Sequence, residues 1–591
     1  MLSAIKDLAV LTSEEKKIDP LSTLVENPKS GSYVHAFVIE IEMARDCARL
    51  EGVALEQLSE EKYLKYLYRP GSPRGADLSP SAKITEIDRT FQIKLLGWFR
   101  TVEDKSDKLR LTEDEREYLG ILRDLLEKEQ DKLINQIETK MQLLPKKENA
   151  LLTITVNNKY PGEIDVFRRV FIGLENLKDE AIGETDKVCS ICGKRREFVS
   201  GNISTYKFYT IDKPGFITGG FDSKLAWRNF PVCPQCKLDL EAGKKFIEAN
   251  LQFRFVAGVN YYLIPRFLLG TKEVSRDVLE LFLEGPKKIS LAGRVVKRLT
   301  EDESEVLQLL SAEKDLLCVQ FLFLKSQRGA ERILLLIDDV YPSMLRKIFM
   351  AKEATEKTWG FLERPFTFGT LRTFFAKSDE SKNQPDLDQY FLQLVEDVFR
   401  LRPVEKGFVL QFIINKIRHD FNNQLDSFHW SVLDGLLSLT FLLKLGLISF
   451  KEVGKLAESR FDELFKNLSP MLSSPAARGT FLLGALTEML LNKQYTERGS
   501  KPFQKQLKGL RLTERDIRGL LPKVENKLLE YESFDKGKRK LAEEIAVNLL
   551  AAGENWKLSG DEINFYFAAG MNLAGKIGEF LYQKDEEAVL S

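Results

Sequence analysis

Histidine is the scarcest ionisable residue in this 591-residue chain, which contains only His35, His419 and His429. So few imidazoles limit the acid–base and metal chemistry that the chain could carry out. The sequence also lacks a GxxxxGK[ST] phosphate loop, which disfavours ATP hydrolysis by that route. No stretch approaches the ~18 uninterrupted apolar residues of a membrane span, and residues 1–20 lack the basic start and apolar core of a signal peptide. We therefore expect a cytoplasmic protein.

Net charge is also absent, because 88 basic residues balance 88 acidic ones. The overall charge therefore gives no indication of a nucleic-acid partner, and any such role must come from local patches. Hydrophobic residues make up 43% of the chain and charged residues 30%, which is typical of a folded globular protein. A chain of this length is expected to divide into roughly three or four domains.

Cysteine is sparse as well, yet four of the six cysteines form two CxxC pairs, in "VCSICG" at 188–193 and "PVCPQC" at 231–236. Cys47 and Cys318 stand alone and are most simply small core residues. In a reducing compartment, CxxC pairs are more often metal sites or redox motifs than structural disulfides. Each pair can present two sulfurs to one ion, and four thiolates suit the tetrahedral preference of zinc.

A site closed by four sulfurs leaves no position for water, so we expect a structural zinc ion rather than a catalytic one. Its ligands would be Cys189, Cys192, Cys233 and Cys236. One alternative is a set of unmetallated thiols. A thioredoxin-like redox role is disfavoured, because neither CxxC pair opens a recognisable βαβ unit.

Hydrophobic periodicity predicts an α+β protein. Residues 31–43 and the run that begins at residue 151 have the β-branched and aromatic character of strands, whereas residues 101–143 have leucine and isoleucine at helical spacing. The runs at 315–327 and 332–343 predict a hairpin or two neighbouring strands. After about residue 385, strand signals disappear and apolar residues recur at helical period, as in "GTFLLGALTEMLLNKQ".

These patterns predict a mixed α/β amino-terminal portion with an inserted zinc-binding lobe, followed by an all-helical bundle at the carboxy terminus. We place the boundaries at 1–185 for the mixed α/β domain, 186–270 for the four-cysteine zinc lobe, 271–384 for the continuation of the α/β portion, and 385–591 for the helical bundle.

The segment between the CxxC pairs combines basic and aromatic residues in a way that is compatible with nucleic-acid binding. Basic groups can contact phosphates while aromatic faces stack on unpaired bases. The candidates are Lys207, Lys213, Lys224 and Arg228, interleaved with Tyr206, Phe208, Tyr209, Phe216 and Trp227. The alternative is that the aromatic side chains form the core of the zinc lobe and that the basic ones are solvated.

Amide and ammonium groups near predicted turns could read base edges, because the major groove favours Asn or Gln at adenine and Arg or Lys at guanine. Candidates of this chemistry are Asn157, Asn158, Lys159, Asn202 and Asn229. Each of them could equally be an ordinary turn residue.

The strongest local charge asymmetry lies between residues 498 and 540, which contain thirteen basic and six acidic residues. A stripe of positive charge there could track the backbone of a displaced DNA strand. Spacings of three and four residues would place two successive trios on helical faces: Lys501, Lys505 and Lys508, then Arg511, Arg515 and Arg518. The alternative is a solvated helical surface.

Two acidic motifs admit enzymatic interpretations. The "RHD" at 418–420 is compatible with an HD-type phosphohydrolase, but such a site needs several histidines and aspartates around a metal, and only His419 and His429 are nearby. Asp338 and Asp339 follow a predicted strand and could bind magnesium. An acidic pair at that place commonly caps the next helix instead.

Five segments, taken in order, resemble one protein family: "YLYRPG" (66–71), "VCSICG" (188–193), "YKFYTIDKPGFITGGF" (206–221), "RNFPVCPQC" (228–236) and "FYFAAGMNLA" (565–574). They are similar to the large subunit of type I-B CRISPR Cascade, the Cas-eight-b family, which is also called the Csh-one or TM-eighteen-oh-two family. The resemblance covers nearly the whole chain. Its most specific part is the run from Lys207 to Cys236.

The resemblance implies a subunit that is not an enzyme. Such a subunit lies at the end of the guide RNA that carries the 5′ handle, recognises the protospacer-adjacent motif in duplex DNA, supports R-loop formation and helps to recruit a separate nuclease-helicase. Its partners would be the guide RNA, the target DNA, and the backbone, handle-binding and small subunits. Residues 471–591 would correspond to a small subunit, and Met471 is a plausible internal start for one. The competing classes are a metal-dependent nuclease and a zinc-stabilised scaffold that contacts only protein.

Overall fold

The structure is a computed structural model. It describes residues 1–13, 20–44, 47–71, 74–203, 205–206, 218, 222–256, 258–267, 275–276, 279, 317–327, 330–360, 365–379, 382–450 and 458–582. The chain divides into two compact units, one formed by Met1–Asn250 with Ser326–Arg332 and the other by Leu251–Lys325 with Ile333–Ser591. Within the ranges given above, no helix has both the length and the apolar character needed to cross a bilayer.

Helices occur throughout the chain. In chain order the α-helices are α1 Leu2–Ser13, α2 Pro20–Leu24, α3 Tyr63–Tyr66, α4 Ile87–Arg89, α5 Gly97–Asp104, α6 Glu113–Lys128, α7 Gln130–Met141, α8 Asp165–Ala181, α9 Pro234–Asn250, α10 Pro342–Thr358, α11 Phe368–Phe374, α12 Asp388–Phe399, α13 Lys406–Asn422, α14 Ser427–Lys444, α15 Asp462–Asn467, α16 Pro475–Arg498, α17 Glu514–Glu530, α18 Lys536–Ala551, α19 Gly560–Asn572 and α20 Ala574–Tyr582. A π-helical segment, Thr90–Leu96, joins α4 to α5. Short 3-10 helices form at Pro161–Glu163, Ser223–Arg228 and Pro502–Leu507.

The described strands form three sheets. They are β1 Tyr33–Met43, β2 Ala48–Gln57, β3 Ala82–Lys83, β4 Asn149–Val156, β5 Gly183–Val188, β6 Arg195–Ser200, β7 Gln252–Val256, β8 Val259–Phe267, β9 Leu317–Gln327 and β10 Ala330–Val340. The first sheet has the order β2-β1-β4-β3, the second has the order β10-β9-β8-β7, and β5 pairs with β6 in a two-stranded hairpin. In the first sheet β1 runs parallel to β4 and antiparallel to β2.

The first sheet is covered by apolar side chains on both faces. Successive residues of a strand point to opposite faces, so Phe37 and Ile39 of β1 join one buried cluster while Ala36 and Val38 join another that contains Tyr66. The near-continuous apolar sequence of β4 fits a strand that is buried on both sides, and every residue of β4 after the first is buried.

In the second unit, helices α10, α11, α13 and α19 pack against α14, in which all residues from Ser431 to Leu442 are buried. Helices α16 and α19 cross at close range because glycines remove side chains at the crossing. A Cβ atom on Gly484 would overlap the carbonyl oxygen of Phe567, and one on Gly570 would overlap that of Phe481. The glycine of "FYFAAGMNLA" is therefore required by helix packing.

The structure confirms the mixed α+β class, with a helical carboxy-terminal half. It also confirms the strand predicted at 31–43, the helices within 101–143, and the neighbouring strands β9 and β10. Helix α9 is not among the predicted elements, because "PVCPQC" was considered only as a pair of metal ligands. Asp338 and Asp339 lie inside β10 rather than after it, and the residue that precedes the next helix as its N-cap is Tyr341.

Candidate metal centre and its surroundings

The first CxxC pair lies at the tip of the β5–β6 hairpin. The Cys189 amide donates to the Lys194 carbonyl at 3.0 Å, and the Gly193 amide donates to the Cys189 carbonyl at 2.9 Å. Gly193 has a φ of +65°, a backbone conformation that glycine adopts without steric cost. The tight turn therefore needs a glycine directly after the second cysteine, and it brings the two sulfurs to the same end of the hairpin.

The second CxxC pair lies at the start of α9, where Pro234 is the first helical residue. Proline suits that position, because its fixed φ matches the helix. The amide hydrogen that proline lacks would have no hydrogen-bond partner in the first turn of a helix. Backbone hydrogen bonds attach this segment to the hairpin: the Ser190 amide donates to the Pro231 carbonyl at 2.7 Å, and Ser200 and Val232 exchange bonds of 2.9 and 3.0 Å.

These connections bring the four predicted sulfur atoms together. The Sγ atoms of Cys189, Cys192, Cys233 and Cys236 all lie within 4.8 Å of one another. Sulfurs bound tetrahedrally to zinc at ~2.3 Å would be about 3.8 Å apart, so the cluster could bind a metal such as zinc with little rearrangement. Three of the cysteines are buried and Cys192 is partly exposed.

Hydrogen bonds and burial shift the pKa values of three of these thiols in different directions. Burial raises the pKa of Cys233 and that of Cys236. Burial also opposes ionisation of Cys192, but hydrogen bonds from the Lys194 backbone and the Arg196 side chain lower the pKa of this thiol to about 6. The Cys233 amide also donates to the Cys189 sulfur at 3.4 Å. A divalent cation would favour ionisation of all four thiols, as expected for a metal site that binds thiolates.

A buried group of charges lies directly beside the cysteine cluster. Lys237, the residue after Cys236, donates from Nζ to Glu175 at 2.9 Å and to Asp179 at 2.7 Å. The Arg69 guanidinium lies 3.5 Å from Glu241 and 3.9 Å from Glu175. The five residues are each less than 10% exposed. Buried charges require partners, and these pairs connect α8 and α9 to the "YLYRPG" segment.

Asp179 extends this group of charges to the hairpin. Its Oδ1 accepts from the Asn202 side chain at 2.8 Å and from Ser200 Oγ at 3.3 Å. Burial nevertheless raises the pKa of Asp179. Sequence reasoning missed Arg69, Glu175 and Lys237, because nothing in the local sequence around a single charged residue indicates a distant partner.

The predicted nucleic-acid residues near the cysteines occupy different environments. Lys224 and Arg228 are exposed on the 3-10 helix Ser223–Arg228. The Asn202 amide group is bonded to Asp179, and the Asn229 Oδ1 accepts from the Thr218 amide at 2.7 Å. Lys207, Lys213, Phe208, Tyr209 and Phe216 lie outside the described residues.

Among the aromatic candidates, Tyr206 and Trp227 differ in accessibility. Tyr206 is buried beneath Lys244, whose Nζ lies 4.7 Å from the ring centroid. This places Tyr206 in the core, as the alternative interpretation anticipated. Trp227 is only partly buried.

The predicted turn at Asn157–Lys159 is present at the end of β4. Asn157 and Asn158 both have positive φ angles, 50° and 62°, which is typical of a type I′ turn. The Asn157 side chain accepts from the Met43 amide at 2.7 Å and donates to the Met43 carbonyl at 3.1 Å. These bonds attach the end of β1 to the turn. They also occupy the side-chain amide atoms of Asn157, which could otherwise form hydrogen bonds with a base edge. Asn158 and Lys159 are exposed.

The six carboxy-terminal basic residues do not form one helical stripe, which corrects the sequence-based expectation. Lys501 precedes the 3-10 helix Pro502–Leu507, Lys508 ends it in a left-handed conformation, and only Arg515 and Arg518 belong to α17. The chain turns at Lys508–Leu510, where three successive residues have positive φ. Turn geometry here overrides the i, i+3, i+4 spacing.

The same six residues divide into two electrostatic groups. Lys501, Lys508 and Arg518 pair with Glu488, Asp516 and Glu514 at 2.9, 2.6 and 2.6 Å. Lys505, Arg511 and Arg515 are exposed, and no carboxylate in the described part of the chain pairs with them. The second group is therefore the better candidate for contact with phosphates.

The residues of the enzymatic alternatives make structural contacts. Asp420 is completely buried and accepts from Ser431 Oγ at 2.5 Å, which connects α13 to α14. His419 Nδ1 lies 3.1 Å from the same carboxylate. Asp339 contacts Arg266 at 3.3 Å, across the β8–β9–β10 sheet.

Comparison with protein families gives three matches that together span most of the chain. The N-terminal, central and C-terminal domains of the family described as CRISPR-associated protein TM1802 (cas_TM1802) match residues 1–173, 186–340 and 366–585. A search of curated proteins found no match. The matched parts contain both the four-sulfur cluster and the helical bundle, and they define a CRISPR-associated protein. The chain belongs to the TM1802 (cas_TM1802) family, which confirms the resemblance at the level of the family.

Proposed function

We propose that this protein is the non-catalytic large subunit of a type I-B CRISPR RNA-guided surveillance complex. In that role it recognises the protospacer-adjacent motif in duplex DNA, supports R-loop formation and helps to recruit a separate nuclease-helicase. The observation that carries the proposal is the family match over the amino-terminal, central and carboxy-terminal parts of the chain. In RNA-guided complexes base pairing reads the target sequence, whereas protein reads a short motif and the shape of the backbone.

We also propose that Cys189, Cys192, Cys233 and Cys236 bind one structural zinc ion. The support is the convergence of the four sulfurs within 4.8 Å and the burial of three of the cysteines. With four protein ligands the metal would supply a cross-link between the hairpin and α9, and it would hold no reacting water. The zinc ion would therefore stabilise the shape of the surface that binds nucleic acid.

Purification of the chain together with the products of its neighbouring genes tests the proposed role. The expected result is a complex that contains short RNA with CRISPR repeat sequence at its 5′ end and binds matching duplex DNA. A complex of proteins without RNA would favour the protein scaffold. Magnesium-dependent or manganese-dependent cleavage of DNA by the chain alone would favour the nuclease and contradict the proposal.

A further inference from the structure

A partly buried tryptophan lies close to two cations in the part of the chain that carries the cysteine cluster. Trp227 belongs to the 3-10 helix Ser223–Arg228, and its ring centroid is 5.6 Å from Lys187 Nζ and 5.6 Å from the Arg228 guanidinium carbon. Lys187 comes from a different element, strand β5, two residues before Cys189. We call these three residues the Trp227 patch.

The backbone beneath the Trp227 patch is fixed by close packing. A Cβ atom on Gly201 would lie 2.8 Å from both the Ala226 carbonyl oxygen and the Trp227 amide nitrogen, so only glycine permits this approach. Ala226 is completely buried, and the Asp222 side chain caps the 3-10 helix at the Lys224 amide. The indole is therefore held in place on the lobe rather than carried by an independent loop.

No salt bridge holds the cations of the Trp227 patch within the described part of the chain, although Asp186 is close enough to interact electrostatically with Lys187. Neither Lys187 nor Arg228 lies within ion-pair distance of a described carboxylate, whereas the nearby Arg195 pairs with Asp186 at 2.5 Å. A cation–π contact reaches to about 6 Å, so both cations are near its outer limit. Each could move to an anion without breaking a stronger contact.

We propose that the Trp227 patch binds an unpaired nucleotide of a single-stranded nucleic acid. The exposed part of the indole stacks on the base, and Lys187 and Arg228 contact the phosphates on either side of it. Stacking on an aromatic ring accepts any base, because every base has a π-face. A base within a duplex is covered by its neighbours, so the patch selects single strands. This inference rests on the proposed nucleic-acid role and adds the ligand class and the residues.

Binding of a fluorescently labelled mixed-sequence single strand to the full-length protein, measured at several salt concentrations, tests the inference. Trp227→Ala should weaken binding by about tenfold, within the range found for loss of one stacked base, while Trp227→Phe should retain most of the affinity. Lys187→Gln and Arg228→Gln should each weaken binding severalfold and reduce its salt dependence. The matched control is Arg195→Gln, which removes a paired arginine from the same hairpin and should have little effect.

Oligonucleotides without bases separate the contribution of stacking from the electrostatic attraction of the phosphates. Single strands that are abasic throughout should bind the wild type and Trp227→Ala equally, because no base is present to stack. The inference is overturned if Trp227→Ala retains its metal content and binds ordinary single strands as tightly as the wild type. It is also overturned if the substitution releases a protein subunit from the purified complex and leaves single-strand binding unchanged. Absence of nucleic-acid binding by the wild type and by its purified complex would contradict the proposed function itself.

Discussion

At the residue scale, the proposed zinc site would concentrate negative charge on four thiolates. Four thiolates around one Zn²⁺ leave a net charge of about −2, and Arg196 and the Lys194 backbone supply hydrogen bonds to the only partly exposed sulfur, that of Cys192. Hydrogen bonds of this kind orient the ligands and stabilise their charge. In the proposed zinc site, the metal and the residues around the cysteines would therefore act together to fix this part of the chain.

Replacement of one ligand should remove both the metal and the stability it provides. Cys189→Ser is expected to abolish stoichiometric zinc and to lower the free energy of unfolding of the metal-bearing part by several kcal/mol, because metal binding is coupled to folding. Elemental analysis and denaturant unfolding measure the two effects. Cys47→Ser is the matched control, since Cys47 lies outside the cluster and is exposed, which corrects the expectation that it is a core residue. Native protein that contains no stoichiometric metal would contradict this prediction.

The buried charges beside the metal centre predict a large effect from a single lysine. Lys237→Met leaves Glu175 and Asp179 buried without the ammonium group that bridges them, and loss of one partner of a buried pair costs about 3–5 kcal/mol. Lys178→Met is the control, because Lys178 is 45% exposed and lies 3.8 Å from the same Glu175. Its expected cost is below ~1 kcal/mol. Equal losses of unfolding free energy in the two variants would show that burial is not the cause.

At the scale of elements, the crossing of α16 and α19 depends on two glycines that replace side chains with direct backbone contact. Gly570→Ala should destabilise the helical unit by about 1–3 kcal/mol, because the added methyl group overlaps the backbone of α16 and forces the helices apart. Gly519→Ala is the control, since Gly519 lies on α17 with open space around it. Alanine there should be neutral or stabilising by up to ~1 kcal/mol. Thermal unfolding compares the two, and a neutral Gly570→Ala would refute the close crossing.

The carboxy-terminal basic residues allow a comparison of two trios within the same segment. Lys505, Arg511 and Arg515 are exposed, whereas Lys501, Lys508 and Arg518 are paired with carboxylates. Replacement of the exposed trio by glutamine should weaken DNA binding at all sequences. Each lost phosphate contact should also reduce the slope of log affinity against log salt by about 0.9.

Replacement of the paired trio by glutamine should change the salt slope less and lower the stability more, because it leaves Glu488 mostly buried without its lysine. Titrations of duplex DNA at four or more salt concentrations distinguish the trios. Equal slopes of log affinity against log salt for the wild type and the exposed-trio variant would show that Lys505, Arg511 and Arg515 are solvated and do not contact phosphates.

Much of this element-scale structure could be predicted from the sequence, because periodicity is a local property. Strand β1 and the helices after residue 385 were predicted for that reason. Convergence of the cysteines could also be predicted, since CxxC spacing specifies two pairs of ligands. The contacts of Arg69 with Glu175 and Glu241, and those of Lys187 with Trp227, could not be predicted, because they join residues far apart in the chain. The turn at Lys508–Leu510 was missed because an i, i+3, i+4 pattern continues through it.

At the scale of the whole molecule, the predicted small-subunit segment 471–591 shares its core with preceding helices. Met471 lies between α15 and α16, outside any helix, but it is only 4% exposed. Met471 lines a small cavity together with Leu436 of α14 and Phe565 of α19. A product that starts at Met471 would lack Leu436 and would need another partner to cover this surface. The assignment of 471–591 to a small subunit stays a prediction.

In the function proposed here, this chain gives an RNA-guided complex its recognition of a short motif in duplex DNA. The most direct measurement exposes the RNA-loaded complex to duplexes with a fixed matching target and randomised flanking bases, and sequences those that are bound. We predict enrichment of one short motif on one side of the target, and loss of that enrichment when the complex is assembled without this chain. Bound duplexes with no preferred flanking sequence, or a preference that persists without this chain, would contradict the claim.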